Sequence, residues 1–368
     1  MVILYDPRVI VNYRDYGIML PIPPGRGKRV LDFLGNGISA LDFNGALTRL
    51  NREGNDLKLI EGKIINREDL ERVHSKNYTA KLYGDGIEKA LIDTYELIDA
   101  DGKPRRYESE HALKPLSDMF WTLVSQAGGT YLAGLLALSG GGFCYYLGGG
   151  MHHARYDAPS GFCPINDIAI AAFRLLAEKR ASLIWIIDMD AHKGDGTAEI
   201  VHFARKRGEL QTPLENSAQG KIADNKPCIL TLSIHMAKGW PLDDESLALA
   251  ETGRAPLLPS DADIGIDSGG EGEYTRRLMD GVKKLESLSG RNPDFALVVD
   301  GADPYEHDEL ASASLLKLTL EQCVERDVLI YRYLQERKIP SAWIQAGGYG
   351  DRAWEPHAHF LKTISVQF

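Results

Sequence analysis

The sequence has little cysteine and no long hydrophobic stretch. Its 368 residues include four cysteines, none in a C-x-x-C pair, which excludes a disulfide scaffold and a cysteine-rich zinc module. No apolar run approaches the roughly 18 to 20 residues that a membrane-spanning helix needs. The opening segment, MVILYDPRVIVNYRDYG, lacks the basic and apolar regions of a secretory signal. We therefore expect a cytoplasmic protein with no membrane partner.

The chain is also short of positive charge and of several common catalytic motifs. Its 42 Lys and Arg residues are outnumbered by 52 Asp and Glu residues, for a formal net charge of −10. No basic cluster stands out, so we expect no direct nucleic-acid partner. The motifs G-x-S-x-G, H-E-x-x-H, G-x-x-x-x-G-K-[ST] and G-x-G-x-x-G are absent, which argues against serine hydrolases, zincins, P-loop enzymes and dinucleotide enzymes.

From about residue 183 onward, apolar runs alternate with helical stretches, which is typical of a mainly parallel sheet covered by helices. The predicted strands are Leu183 to Ile187, Cys228 to Ile234, Phe295 to Val299 and Ser341 to Gln345. The predicted helices are Ile168 to Lys179, Tyr274 to Leu288 and Lys317 to Glu336. The predicted surface loops are Ile98 to Pro115, Lys206 to Pro227 and Gly239 to Asp263. We expect one domain over residues 1–368, with a boundary after about Gly150 as the alternative.

Polar and ionisable residues follow three of the predicted strands at once. Asp188 to Gly196 follows the first strand, Asp300 to Asp303 the third, and Ala346 to Gly350 the fourth. Open α/β sheets bind ligands at the carboxyl ends of their strands. These three segments are therefore predicted to meet in one cleft.

Within that cleft, the sequence offers ligands for a metal. Asp190 and His192 are two residues apart, and residues i and i+2 of extended backbone point the same way. Asp303, from a neighbouring strand end, can add a third ligand. Three such ligands leave one coordination position open, as catalytic sites for a divalent metal such as zinc do. For the Asp-x-His pair alone, the alternative is that both side chains only cap a strand end and pair with Lys or Arg.

Two consecutive histidines, His152 and His153, follow three glycines and are therefore expected close to the occupant of the cleft. Such a pair can divide general-base and general-acid work if Asp188 and Asp195 each tune one ring. The alternative is a surface pair with ordinary pKa values. Tyr349, between two glycines, offers a phenol donor to an oxyanion, although the same arrangement is common in turns.

These segments resemble the zinc-dependent histone deacetylase superfamily, which includes acetylpolyamine amidohydrolases and acetoin-utilisation proteins. Gly150 to Ala172 is similar to its G-x-H-H-A, S-G-F-C and N-x-x-A-I-A-A signature, and Asp188 to Thr197 is similar to its D-x-D-x-H-x-G-D-G-T metal loop. Gly301-Ala-Asp303, then Asp308, and Gly347-Gly-Tyr349 follow in the family's order. The motifs span about residues 70–365, whereas residues 1–69 diverge.

The resemblance implies an arginase/deacetylase-like α/β fold, with a central, mainly parallel sheet of about eight strands and the site at the carboxyl ends of the strands. It implies that Asp190, His192 and Asp303 hold a zinc or ferrous ion. It also implies that Tyr349 binds the carbonyl oxygen and the oxyanion.

The same resemblance assigns different roles to the two histidines. His153, paired with Asp195, would act as general base and then acid, while His152, paired with Asp188, would act mainly electrostatically. The residues implied in substrate binding are Gly161, Phe162, Leu310 and Gly348. Those implied around a structural potassium ion are Asp188, Asp190, His192, Ser233 and Ile234.

The implied reaction is hydrolysis of a linear amide. A metal polarises the carbonyl and activates water, and a histidine protonates the leaving amine. Leu310 maps to a position where polyamine-selective relatives place a glutamate, which favours an acetyl-lysine protein or peptide as substrate. Because Glu309 is adjacent, hydrolysis of a small acetylated amine such as an acetylpolyamine is the second hypothesis. A non-catalytic acyl-binding scaffold on the same fold is the third. A homo-oligomer is also compatible with the sequence.

The first quarter of the chain departs from the family pattern. Many relatives carry His-Pro-Glu near the start, where this chain reads Leu20-Pro-Ile-Pro-Pro-Gly-Arg26, so the substrate rim cannot be transferred. His235 is expected beside the potassium site, in a lining or a structural role. The remaining C-terminal histidines are expected in loops or on the surface: His307, His357 and His359.

Overall fold

The chain is built around one sheet of parallel strands. The computed structural model describes residues 1–35, 38–55, 57, 59, 63–213, 226–243 and 257–366. The strands are β1 (Val2–Leu4), β2 (Ala40–Leu41), β3 (Phe143–Tyr146), β4 (Leu183–Asp188), β5 (Cys228–Met236), β6 (Ala262–Ile266), β7 (Phe295–Asp300) and β8 (Ser341–Gln345). Their order across the sheet is β2-β1-β3-β8-β7-β4-β5-β6, and each pairing is parallel. The expected sheet of about eight parallel strands is therefore confirmed.

Helices cover both faces of this sheet. They are α1 (Arg26–Leu34), α2 (Phe43–Arg52), α3 (Arg67–Glu71), α4 (Lys76–Leu82), α5 (Ile87–Tyr95), α6 (Met119–Leu136), α7 (Asp167–Ala177), α8 (Asp195–Lys206), α9 (Tyr274–Ser289), α10 (Leu320–Glu336) and α11 (Glu355–Ser365). Helices α2 to α8 pack into the apolar core on one face, and α1, α9, α10 and α11 into the core on the other. None of the helices in the described ranges is both long and apolar enough to traverse a lipid bilayer.

The apolar composition of the central strands follows from the helices on both faces of the sheet. Side chains of a strand alternate between the two faces of a sheet, so a strand covered on both faces must be apolar throughout. In β4, Ile184 and Ile186 belong to one core, whereas Leu183, Trp185 and Ile187 belong to the other. The continuous apolar runs that predicted the central strands are therefore a consequence of burial on both sides.

All four predicted strands are present, each ending within two residues of the predicted position. The three predicted helices are also present, as α7, α9 and α10. Helix α7 begins as expected after Asn166, whose side chain accepts a hydrogen bond from the Ala169 backbone at 2.9 Å. The strands that precede the predicted metal ligands and Tyr349 were thus predicted with nearly correct bounds.

The prediction was wrong at the β6 edge of the sheet and for the three strands at its other side. The loop predicted over Gly239 to Asp263 ends in β6, which begins at Ala262, and the strands β1, β2 and β3 were not predicted. The loop predicted from Lys206 begins one residue later, because Lys206 ends α8. Residues 214–225 and 244–256 of these two loops lie outside the described residues. The loop over Ile98 to Pro115 is confirmed, with one short 3₁₀ turn inside it.

Candidate metal centre and active site

Asp190, His192 and Asp303 meet at the carboxyl edge of the neighbouring strands β4 and β7. The Nδ1 of His192 lies 2.9 Å from Asp303 Oδ2 and 3.2 Å from Asp190 Oδ1. One ligand atom from each residue lies within 4.8 Å of the other two, and all three residues are buried. The structure therefore brings the three predicted ligands together at one point.

Two glycines make room for the carboxylates of this cluster. A Cβ on Gly347 would lie 2.4 Å from Asp190 Oδ2 and 2.7 Å from Asp303 Oδ2, and a Cβ on Gly301 would lie 2.6 Å from Asp190 Oδ2. The backbone N–H of Ala191 donates to Asp303 at 2.9 Å, and that of Gly347 donates to Asp190 at 3.0 Å. Two oriented carboxylates and one imidazole are a donor set that a divalent cation such as zinc accepts. The residues present thus fit the implied metal.

The charges of the cluster influence one another strongly. Burial opposes a charge on His192, but hydrogen bonds and charges from Asp190 and Asp303 outweigh burial and raise its pKa to about 10. Burial and the charge of Asp190 raise the pKa of Asp303 to about 6. Two carboxylates held this close favour positive charge between them, which a divalent cation supplies.

His152 and His153 each pair with a different buried carboxylate. Their Nδ1 atoms lie 2.7 Å from Asp188 Oδ2 and 2.7 Å from Asp195 Oδ1, respectively. Burial disfavours the charged form of His152, but the charges of Asp188 and Asp190 outweigh burial and raise its pKa to about 9. Burial and the charge of His152 lower the pKa of His153 to about 4. Near neutral pH one ring is therefore charged and the other neutral.

Both histidines line a cavity that reaches the metal cluster. Gly161, Phe162, Gly348 and Tyr349 line the same cavity. The rings of Phe162 and Tyr349 meet edge to face, with centroids 6.4 Å apart. The Tyr349 backbone N–H donates to Asp308 Oδ2 at 2.7 Å, which holds the tyrosine loop against the strand-end loop after β7. Three of the four predicted substrate residues thus lie beside the predicted tyrosine.

The fourth predicted substrate residue, Leu310, lies elsewhere. In the described part of the chain it is not among the residues lining the cavity, and its partly buried side chain packs against the core beneath α9 and α10. The adjacent Glu309 lies against Gly350, and its Oε1 accepts a hydrogen bond from the Asp351 backbone at 3.2 Å. Glu309 is therefore attached to the loop that carries the tyrosine.

The residues expected around potassium lie together beside the metal loop. Ser233 in β5 is paired in register with Asp188 in β4. The Oγ of Ser233 accepts a hydrogen bond from Gly194 N–H, and Asp188 Oδ1 accepts one from Asp190 N–H, both at 3.1 Å. All five expected residues are buried: Asp188, Asp190, His192, Ser233 and Ile234.

Trp240 forms a wall of the site that no sequence motif had indicated. Its ring centroid lies 4.6 Å from that of His153 and 5.6 Å from that of His192. A Cβ on Gly161 would lie 2.4 Å from the Trp240 indole, so the glycine is needed for the ring to approach. The only signal in the sequence was an aromatic residue inside a polar, glycine-containing loop.

Arg26 reaches the site from the N-terminal segment that departs from the family pattern. It lines the cavity, and its guanidinium donates to the carbonyl oxygens of Ala346 at 2.7 Å and Gly348 at 2.9 Å. Both carbonyls belong to the loop that carries Tyr349. These acceptors are more than 300 residues away in sequence, so the contact had no local signal.

Two further histidines are buried rather than exposed. The expectation for His357 was wrong, since it lies in α11 with no exposed surface, bonded to Tyr145 and Asp300. His235 is also buried, and its Nδ1 lies 2.7 Å from the Met236 carbonyl oxygen, which favours the structural role. Buried histidines need hydrogen-bond partners, and those of His357 come from two other elements of the fold, β3 and β7.

Comparison with known proteins gives the family. The family model of the histone deacetylase domain matches residues 21–361. Histone deacetylase 2 of Arabidopsis thaliana is 26% identical over 311 residues, covering 84% of this chain and 68% of that protein. The acetoin utilization protein AcuC of Staphylococcus aureus is 30% identical over 217 residues, covering 57% of this chain and 46% of that protein. This chain thus matches about two thirds or less of these relatives' lengths.

A solved structure supports the same assignment at the level of the fold. The acetylpolyamine aminohydrolase of Burkholderia pseudomallei superposes with a TM-score of 0.62 at 17% identity, over 98% of this chain and 97% of that chain. The expected arginase/deacetylase-like fold is therefore confirmed. Because the family model matches most of its length, the chain belongs to the histone deacetylase family.

Proposed function

We propose that the protein is a metal-dependent deacylase that hydrolyses the linear amide of acetyl-lysine in a protein or peptide. The observation that carries the proposal is a single cavity bordered by a three-ligand cluster, a carboxylate-paired histidine couple and Tyr349. Amide hydrolysis needs a Lewis acid, a proton carrier and an oxyanion donor. Each of these has a candidate at the cavity wall.

Asp190, His192 and Asp303 would hold the metal, either zinc or ferrous iron. When bound, such a cation supplies Lewis-acid polarisation of a carbonyl and lowers the pKa of water. Ser312 supports this ligand set, because its Oγ lies 3.2 Å from Nε2 of His192 and so leaves Nδ1 facing the two carboxylates.

His153 is the proposed proton carrier. Its lowered pKa keeps the ring neutral near pH 7, and its Nδ1–H is directed at Asp195, so the other ring nitrogen can accept a proton from water and later pass it to the leaving amine. His152 carries a positive charge that Asp188 stabilises, and its role is mainly electrostatic.

Tyr349 is the proposed donor to the carbonyl oxygen and the oxyanion. Burial and the nearby charges of Asp303 and Asp190 raise the pKa of its hydroxyl well above the ordinary value, so the group stays protonated at neutral pH. Gly161 and Phe162 would line the path of the acyl-lysine stem.

A structural potassium ion is proposed near the metal loop. It would be held by side-chain and main-chain oxygens of Asp188, Asp190, His192, Ser233 and Ile234. The support is that these residues are buried and lie on or just after two adjacent strands. There the Ser233 side chain accepts a hydrogen bond from the Gly194 backbone, and the Asp188 carboxylate lies against Gly194. Such an ion would stabilise the segment that carries two metal ligands.

A small acetylated amine is the second candidate substrate. It is favoured by the fold shared with an acetylpolyamine aminohydrolase and by the position of Glu309, whose carboxylate is bonded to the loop that carries Tyr349. The Glu309 carboxylate is not among the described residues that line the cavity, so it would have to turn toward the cavity to attract a second cationic amine. A non-catalytic scaffold is less well supported, because the metal ligands, the histidine pair and the tyrosine are all retained.

A kinetic panel combined with metal analysis tests these alternatives. The chelated protein is reloaded with zinc or ferrous iron and assayed on acetyl-lysine peptides, longer acyl-lysine peptides and acetylated polyamines. We expect chelation to abolish hydrolysis, metal to restore it, and kcat/KM to be highest for acetyl-lysine peptides. A preference for acetylpolyamines by orders of magnitude would overturn the substrate ranking. Full metal loading without hydrolysis of any substrate would favour the scaffold.

A further inference from the structure

A buried arginine lies behind the metal cluster. Arg326, in α10, has no exposed surface and is not among the described residues that line the cavity. Its Nη1 donates to the carbonyl of Met189 at 3.0 Å, and its Nη2 donates to the carbonyl of Gly301 at 3.1 Å. Met189 directly precedes Asp190, and Gly301 lies two residues before Asp303. One side chain therefore bonds to both backbone segments that supply the proposed metal ligands.

Both carbonyls lie just past the ends of their strands. Strand β4 ends at Asp188 and β7 ends at Asp300, so the carbonyls of Met189 and Gly301 lie outside the strands. A buried carbonyl without a donor is strongly unfavourable, so both carbonyls need a hydrogen-bond donor. A guanidinium has five N–H donors in a planar fork, so it can serve acceptors on two segments at once.

Two carboxylates hold the guanidinium in this position. Nη2 of Arg326 also donates to Asp300 Oδ1 at 2.8 Å, and Nε donates to Asp327 Oδ1 at 2.7 Å. Asp300 in turn accepts a hydrogen bond from the Tyr145 hydroxyl at 2.6 Å. A buried charge is strongly unfavourable unless it is paired, and these contacts supply the pairing. The orientation of Arg326 is thereby fixed from its own helix, from β7 and from β3.

We propose that Arg326 is a positioning residue that fixes the separation of the two ligand-bearing segments and thereby strengthens metal binding. This inference rests on the proposed function for the identity of the ligands. A cation shared by two segments is bound more weakly when their spacing is free to vary. Changes in groups that support metal ligands typically cost 10- to 100-fold in affinity.

The test compares Arg326→Lys and Arg326→Gln with a matched control, Arg205→Gln. Arg205 in α8 also donates to a backbone carbonyl, that of Ile229 at 2.6 Å, and to a carboxylate, that of Asp261 at 2.7 Å. Ile229 lies at the amino end of β5, opposite the metal cluster. We expect the Arg326 variants to raise the Kd for zinc and cobalt by at least about 10-fold and to alter the visible spectrum of bound cobalt. The control should lower only the thermal unfolding midpoint.

The possible results separate the positioning role from general stability. An unchanged Kd and an unchanged cobalt spectrum in folded Arg326→Lys would overturn the proposal, and so would an equal loss of affinity in Arg205→Gln. Lysine retains the charge beside Asp300 but cannot reach both carbonyls with a planar fork, so Arg326→Lys decides the question if Arg326→Gln does not fold. A wild-type protein that binds neither metal would instead contradict the proposed function.

Discussion

His152 and His153 are neighbours in sequence, with ring centroids 3.9 Å apart, yet only one of them is charged near neutral pH. The difference comes from their surroundings, since the carboxylates around His152 favour its charge and that charge disfavours a second one on His153. At the scale of the residue, the same side chain is thus given two chemical roles by its neighbours.

The oxyanion donor gives the first prediction at this scale. Replacing Tyr349 by Phe removes one hydroxyl and leaves the ring contact with Phe162 in place. Loss of one oxyanion donor typically lowers kcat by about 10²- to 10³-fold. We expect a drop of that size in steady-state assays on an acetyl-lysine peptide, with the metal content and circular dichroism unchanged. Near wild-type turnover would show that the oxyanion is stabilised by another group.

The second prediction concerns Gly161, the glycine that lets the Trp240 ring approach the site. Its φ is 50°, and an added Cβ would lie 2.4 Å from Trp240 and 2.5 Å from the ring of His153. Gly161→Ala should therefore displace one of these rings and lower kcat/KM by at least about 10-fold. Gly102→Ala is the control, because Gly102 also has a positive φ, of 79°, but nothing lies within 4 Å of its Cβ position. Equal activities of the two variants would rule out a steric role for Gly161.

The residues of the site differ in how far they could be predicted from the sequence. Asp190, His192 and the histidine pair lie in short motifs, and Asp303 directly follows a predicted strand, so local patterns in the sequence indicated all of them. Trp240 and Arg26 act through contacts with residues that are distant in the chain, and no local pattern reports such contacts.

At the scale of the element, the turn between α3 and α4 supports the segment after the histidine pair. The Nδ1 of His74 lies 2.8 Å from the Arg155 carbonyl oxygen, and its Nε2 accepts a hydrogen bond from the Asn166 backbone at 3.1 Å. A neutral imidazole makes both hydrogen bonds, because it can donate from Nδ1 and accept at Nε2. Burial lowers the pKa of His74 from 6.5 to about 4.

This shift predicts a dependence of stability on pH. Below about pH 6.5 the His74 ring becomes protonated in the unfolded chain but stays neutral in the folded protein. The contribution of His74 to the free energy of unfolding therefore falls by about 3 kcal/mol between pH 6.5 and pH 4. Above pH 6.5 the His74 ring is neutral in both states, so its contribution to stability is fully present and no longer changes with pH. Urea unfolding at several pH values should show a smaller decrease for His74→Gln than for the wild type. Parallel curves for the two proteins would contradict the assignment.

The elements also differ in how well the sequence predicted them. Central strands are covered on both faces and therefore read as continuous apolar runs. Edge strand β6 reads ADIGI, and its Asp263 forms a 2.6 Å ion pair with Lys193, so its polar residues resembled a loop. Strands β1 and β2 contain three and two residues, which is too short for a periodic pattern.

At the scale of the whole molecule, the net charge of −10 predicts a preference among substrates. An acetyl-lysine peptide flanked by lysines should have a kcat/KM a few-fold higher than one flanked by uncharged residues at about 50 mM salt, because the overall field raises the encounter rate. The advantage should nearly vanish at about 500 mM salt, where screening is strong. An advantage that does not change with salt would point to direct contacts with the flanking lysines.

The position of β8 has a consequence for biosynthesis. This strand is the last in sequence, yet it lies between β3 and β7 and pairs with both. A nascent chain whose residues 341–345 have not yet left the ribosome already carries all three proposed metal ligands. Its strands β3 and β7 each have one unpaired apolar edge. We expect such an intermediate to bind chaperones on the ribosome, because exposed apolar strand edges promote aggregation. The proposed active site is complete only when β8 inserts, because Tyr349 follows this strand in the chain.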